Sequence, residues 1–439
     1  GSGNIKALGD TSTGKEVLVE YDGQDRVVSV RGRMLRGYQE CTYEYDLAGN
    51  RQEESCYGKG IRYVYGEAVD GSGSSSRLVG LRWERGEQCG VGPDIERQID
   101  VDELGRAVCG YPHRFPLAEE RYELRYGASG RVEGVDVDGD GTGDYEYRYD
   151  HRGLRVVKQG MSAARFTYGT AGELLSERTP TETREYVWVN GEPLVLLVDS
   201  DGAGGLAAEV YVLGTDHLGS VMRAFDVVSG EVEWAADYEV FGRAWVYKPE
   251  STNPPDIEIN LRFPGQYHDA ETGLHYNWHR YYSPDMGRYL QGEPYLYTPK
   301  SILVLGAVLR GGIAKHGLLT PIWAAAPERL FNGYIYVLGN PLRFFDLDGF
   351  IPQMFGGPSA EEQVNCSYVY SECLNSPSNR KTCRSPQDLN HACEELFRDC
   401  LRNPFPYLEY FPVESPPLPG PPPGPLPPSD CKDCELVEK

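Results

Sequence analysis

Positive charge is scarce in this chain of 439 residues: 43 Lys and Arg stand against 66 Asp and Glu, for a net charge of −23. Such a surface repels nucleic acid and anionic membranes and attracts divalent cations, so DNA and RNA binding are set aside. Met (5), Trp (6) and Phe (13) are also few, and no apolar run is long enough to span a bilayer. No signal peptide is visible; the chain opens Gly1-Ser2-Gly3, so export is not legible at its N-terminus. Cysteine is missing between Cys109 and Cys366. The eleven cysteines lack the tight paired spacing of a zinc site, apart from one C-x2-C at Cys431 and Cys434. Four in the first quarter and seven in the last 74 residues read as disulfides, hence an extracellular or cell-surface location. Catalytic motifs are missing too. Ser220 follows "DHLG" without a nucleophile elbow. His217, His268, His275, His279 and Asp216 read as turn and strand-end residues, so no enzyme acting on other molecules is expected.

Tyr (31) and Gly (52) are abundant. Tyr favours strands with one wet face, and Gly supplies turns, so the fold is expected to be mainly β. The first two hundred residues repeat a frame with a period near 20: an alternating run, Tyr-Asp or Tyr-Gly, a short turn, Gly, and another alternating run. "VLVEYDGQDRVVSV", "CTYEYDLAGNRQEE" and "YEYRYDHRGLRVVK" are instances. Tyr21, Tyr45, Tyr126, Tyr149 and Tyr168 hold the equivalent place, and Gly49, Gly105, Gly130, Gly153 and Gly172 supply the positive φ of each turn. Such a period means stacked hairpins that bury each other's faces.

This frame resembles the YD repeat of the RHS and teneurin families. The stretch from Tyr211 to Phe350 resembles the RHS-associated core, through "YVLGTDHLGSVMRAFDVVSGEVEWAADYEVFGRA", "LRFPGQYHDAETGLHYNWHRYYSPDMGRYL" and "NGYIYVLGNPLRFFDLDGF". The resemblance covers about 350 residues. It implies a spiral of β-hairpins forming a partial shell or barrel (1–210), capped by the core (211–350). It also implies, for some members, aspartyl self-cleavage just after a "DPxGL" end. Here that end is Asp346-Leu347-Asp348-Gly349-Phe350, and "GRYLQGEP" stands where the family often has "GRFLSxDP". The candidate residues are therefore Arg288, Glu293, Asp346 and Asp348, with Phe350–Ile351 as the scissile bond. Glu293 is one methylene longer than Asp, and Leu347 and Phe350 also depart from the pattern, so a mostly intact chain is expected.

Residues 351–439 carry no nuclease, deaminase or transferase motif. Cys366, Cys373, Cys383, Cys393 and Cys400 are spaced symmetrically about Cys383, within two helix-like segments. Seven residues make two turns, so an αα-hairpin (351–404) with Cys366–Cys400 and Cys373–Cys393 bridges is expected; reduced, buried thiols are the alternative. "PPLPGPPPGPLPPSD" then favours a polyproline II tail (405–439), a spacer or binding strand. An insert at 295–328, opened by Thr298 and Pro299, is expected to be helical, filling the shell, docking on a neighbour or, last, touching a membrane.

"DVDGDGTGD" places Asp136, Asp138, Asp140, Thr142 and Asp144 at alternate positions, with Gly141 at the sharp turn. Hard oxygen ligands at that spacing suit a structural calcium ion. The usual acidic twelfth position is Tyr147, and an acidic hairpin tip without metal is the alternative.

The repeats are too few for a large closed shell, and edge strands, one of them near Val17 to Tyr21, invite pairing with other copies. The expectation is a non-enzymatic structural protein that self-assembles, possibly into filaments, hardened by calcium and disulfides. Its partners would be itself and, through the tail or a lone Cys, a polyproline-binding or disulfide-linked neighbour. The alternatives are a trimmed RHS toxin carrier shell that cuts itself after Phe350, and an adhesion or glycan-binding module.

Overall fold

A computed structural model describes residues 4–293 and 332–354, except 11–14, 35–36, 57–58, 68–73, 85–94, 99–106, 108, 111–121, 190, 201–207, 250, 347–348 and 350–352. By contacts the chain forms two units, Gly1–Pro294 with Ala326–Phe355, and Tyr295–Ala325 with Gly356–Lys439. All described residues belong to the first. The expected helical insert, Cys-rich hairpin and Pro-rich tail lie outside the described residues, except Gln353 and Met354 at the start of the segment read as the hairpin, which form a strand.

The described residues are mainly β. Eight strands, from Ala7–Asp10 to Ile95–Gln98, make one antiparallel sheet in chain order. Thirteen more, from Cys109–Gly110 to Ala244–Tyr247, make a second in the same manner. A four-stranded sheet follows: Tyr267–Asp269, Leu274–Asn277, Arg280–Ser283 and Arg288–Tyr289. Phe344–Phe345 pairs with Gln353–Met354. The strand Glu209–Thr215 crosses residue 210, so the repeat sheet runs without a break into the segment read as core.

The Tyr-Asp signature has a physical basis on both of its residues. Asp22 Oδ1 accepts the backbone N–H groups of Gln24 and Arg26 at 2.9 and 3.0 Å. Asp150 Oδ1 does the same for Arg152 and Leu154, both at 2.9 Å, so the carboxylate closes the turn. Gly49, Gly130, Gly153 and Gly172 follow with φ between 77° and 87°. The tyrosine reaches the other way. Tyr45 donates to Val27 O at 3.0 Å, Tyr65 to Arg51 O at 2.7 Å and Tyr168 to Arg155 O at 3.0 Å. Each acceptor opens the outgoing strand of the preceding hairpin. Trp188 makes the equivalent bond from its indole to Leu174 O at 2.8 Å. The pairing register slips by one residue at Tyr45, Tyr149, Tyr168 and Trp188, a bulge that turns the ring toward its neighbour.

Alternation buries one face of many repeat strands, as in Tyr145–Tyr149, where Tyr145 and Tyr147 are buried and Glu146 and Arg148 exposed. In the first sheet Val17, Val19, Val27, Val30 and Tyr43 pack with Val240, Phe241 and Leu342. Cys41 and Cys56 face each other on neighbouring strands and form a disulfide. One expectation is corrected. Val17 to Tyr21 is not an edge, because Ala7–Asp10 pairs with Lys15–Leu18 and covers it. The edge is a four-residue strand, which offers little backbone to another chain.

The four-stranded sheet is held to the repeats by buried charge. Arg155 meets both oxygens of Asp269 at 2.6 and 2.8 Å, and both side chains are fully buried. Lys158 bonds Glu271 at 2.7 Å, and Tyr147 donates to the same carboxylate at 2.7 Å.

Candidate functional site

Asp346 and Gly349 close against the four-stranded sheet, and here two carboxylates meet one arginine. Arg280 Nη2 lies 2.8 Å from Glu293 Oε2 and 3.1 Å from Asp346 Oδ2. The arginine is 2% exposed, Glu293 12% and Asp346 1%. Arg280 Nη1 donates to Gly333 O at 2.9 Å and its Nε to Gly349 O at 2.5 Å. Its guanidinium carbon sits 3.5 Å from the centre of the Tyr289 ring. Asp346 is gripped on each oxygen: Oδ1 accepts Gly349 N–H at 2.8 Å and Oδ2 accepts the Tyr289 hydroxyl at 2.7 Å. Gly349 adopts φ +74°, and a Cβ there would lie 2.4 Å from Asn277 O. Only glycine fits that close approach.

Of the four candidate residues, the structure brings Glu293 and Asp346 together. The extra methylene of Glu293 does not keep it from the site. Asp348, Phe350 and Ile351 lie outside the described residues. Arg288 is a correction: it is not beside the carboxylates. Tyr289 points to Asp346, and consecutive strand residues point to opposite faces. Arg288 therefore turns away, donating to Tyr65 Oη at 3.0 Å and Ser76 O at 2.6 Å. Sequence reasoning missed Arg280, Asn277 and Tyr289. The run "NWHRYYSPDMGRYL" offers two buried arginines, and only the register of the two strands tells which one meets Asp346.

The histidines take structural places. His217 Nε2 lies 2.7 Å from Leu342 O. His268 and His275 are cross-strand partners with rings 5.4 Å apart. Asp216 closes a turn by accepting the N–H groups of Leu218 and Ser220 at 2.9 and 2.8 Å.

At the acidic loop, oxygens of Asp136, Asp138 and Asp144 lie within 4.8 Å of one another. Burial opposes the charge on Asp136, but the N–H groups of Gly141, Gly139 and Asp138 outweigh it and hold the carboxyl below its ordinary range. Asp140 accepts instead from Thr142 N–H at 2.7 Å. Three converging carboxylates fit a hard divalent cation in donor type; Asp140 and Thr142 bond each other rather than join them.

No family model matches the chain. It is 28% identical over 347 residues to double-stranded DNA deaminase toxin A of Burkholderia cenocepacia, covering 75% of this chain and 21% of that one. It is 27% identical over 341 residues to toxin protein Tse5 of Pseudomonas aeruginosa, covering 67% and 24%. It is 30% identical over 288 residues to the probable deoxyribonuclease RhsA of Dickeya dadantii, covering 62% and 19%. Two of these three relatives are named as toxins and the third as a probable deoxyribonuclease. The chain thus spans a quarter or less of the length of these three. Among solved structures, the TcdB2-TccC3 complex aligns with 78% of this chain and 18% of its own, at 18% identity and a TM-score of 0.46.

Proposed function

We propose that this chain is part of an RHS toxin carrier shell that cuts its own backbone between Phe350 and Ile351. The observation that carries the reading is the sharing of Arg280 by Glu293 and Asp346 in a buried site. One cation meets both acids at a single guanidinium nitrogen. A charged carboxylate beside a protonated one is what aspartyl hydrolysis needs: one takes a proton from water, the other gives one to the leaving amine. The relatives' names support the carrier role, and they favour it over a self-assembling filament or an adhesion module. The substrate is the chain itself, with no activity toward other molecules. Residues 351–439 are the released segment. The Cys41–Cys56 disulfide supports an oxidising, extracellular destination. A divalent cation, calcium by its oxygen donors, belongs at Asp136, Asp138 and Asp144 as a structural brace.

Denaturing electrophoresis of the full chain beside its Asp346→Asn and Glu293→Gln variants tests this. Two fragments from the unaltered chain and one band from each variant are expected. Two fragments from all three would overturn it.

A further inference from the structure

Arg51 opens the strand Arg51–Cys56 and is 5% exposed. Its Nη1 donates to Glu54 Oε2 at 2.7 Å and to Tyr63 Oη at 3.4 Å. Nε and Nη2 find no acceptor among the described residues. The Nε proton and both Nη2 protons are thus unmet donors on a buried cation, a costly arrangement in a protein interior. Nη2 stands against Gly287, where a Cβ would lie 2.2 Å from it. Arg288, a second buried guanidinium, lines the same space. It donates to Tyr65 Oη and Ser76 O, both neutral, and no carboxylate among the described residues forms an ion pair with it. Glu54 offsets one of the two charges. Asp46, close by, is held in its own turn by Asn50. One positive charge remains. Arg51 and Arg288, with Asn50, Phe241, Gly287, Asn332 and others, surround a cavity of about 20 Å3. That volume admits one water or one small ion and nothing larger.

We propose that this cavity binds a single monovalent anion of chloride size between Arg51 and Arg288. Water accepts the same protons, but only an anion also offsets the surplus charge, and hydrogen bonds between charged groups are the stronger. The ion ties Arg51–Cys56 of the first sheet to Arg288–Tyr289 of the four-stranded sheet, at a place where two guanidinium groups otherwise repel. It is a structural brace of opposite sign to the one at the acidic loop, and it does not depend on whether the chain cuts itself.

Bromide, which stands in for chloride and reports its own position by anomalous X-ray scattering, is the probe. Crystals of the full chain grown in bromide should show an anomalous peak within hydrogen-bond reach of Arg51 Nε or Nη2. Density there without anomalous signal, as a water gives, would overturn the inference, and so would no density. In solution, sodium gluconate is exchanged for sodium chloride at fixed ionic strength and fixed calcium. Binding to the folded chain should raise the melting temperature along a saturating curve, by about 2 °C, whereas a general salt effect gives a straight line. Arg288→Gln removes the surplus charge and should flatten the curve. Equal curves for the variant and the unaltered chain would also overturn the inference. Should the variant not fold, the bromide peak in the unaltered chain decides.

Discussion

Glu293 and Asp346 are separated by more than fifty residues of chain, yet both contact a single atom, Nη2 of Arg280, at 2.8 and 3.1 Å. The two acids reach it from different directions in the chain. Glu293 follows the last strand of the four-stranded sheet, and Asp346 follows the pair of phenylalanines at Phe344–Phe345. The relationship defines the site and separates the two arginines of the segment.

Arg280→Ala is therefore expected to abolish cutting, and Arg288→Ala to leave it within a few-fold of normal. Densitometry of the two fragments after refolding measures both. The reverse order would return the site to Arg288, which contacts Tyr65 and Ser76 instead.

The Arg155–Asp269 pair is fully buried on both sides. Removing one member leaves the other charge unpaired in the interior, a change that costs about 3–5 kcal/mol. Asp269→Asn should lower the urea midpoint accordingly, with the slope of the transition unchanged. The surface pair Arg31–Glu40, with both side chains more than half exposed, gives the contrast. Glu40→Gln should cost about 0–1 kcal/mol. Similar losses from both changes would remove the claim that buried charge fastens the sheets together.

Acid should loosen the fold through its histidines. Burial, with the charge of Arg262 close by, lowers His275 to about 3, and burial, Arg262, His275 and Lys158 hold His268 well below its ordinary value. In the unfolded chain both rings take protons near their ordinary value of 6.5. The stability they contribute is full above that pH and falls as pH drops toward the folded values, at most about 1.4 kcal/mol per pH unit for each ring. Glu271, raised by burial and by Asp269, acts in the opposite sense. The variant His275→Gln isolates the term: urea midpoints from pH 7 to pH 5 should decline less steeply than in the unaltered chain. Parallel declines would show that this ring does not titrate on unfolding.

The repeat frame was legible from sequence because its causes are local. An Asp that closes its own turn and a Gly at positive φ act within five residues, and the spacing of Tyr45 or Tyr149 records them directly. The Tyr bond to the preceding hairpin was not legible, since it depends on the bulge. Cys41 and Cys56 were recognisable as disulfide formers but not as partners, because the pairing follows from the register between two particular strands. Arg155 and Asp269 are 114 residues apart, and nothing in either neighbourhood announces the other. Arg288 was named because the family resemblance marks the arginine of "GRYL"; that Arg280 rather than Arg288 meets Asp346 depends on strand register, which exchanges the two faces of a strand with a single residue. Asp346 and Glu293, which meet at Arg280, were named because the family resemblance marks both places.

Calcium removal gives an independent check on the acidic loop. Excess chelator should lower the melting temperature of the full chain, as expected when an ion binds the folded state alone. Asp138→Ala combined with Asp144→Ala should abolish the difference between chelator and calcium, since both contribute to the carboxylate cluster. An identical melt in calcium and in chelator would leave the loop a capped turn without metal.

Self-cutting at one bond is the central claim, and the mass of the refolded full chain, taken under denaturing conditions, tests it most directly. The account predicts two species whose masses correspond to residues 1–350 and 351–439, with Ile351 as the new N-terminus. A single species at the mass of the uncut chain, from protein shown to be folded, would contradict it.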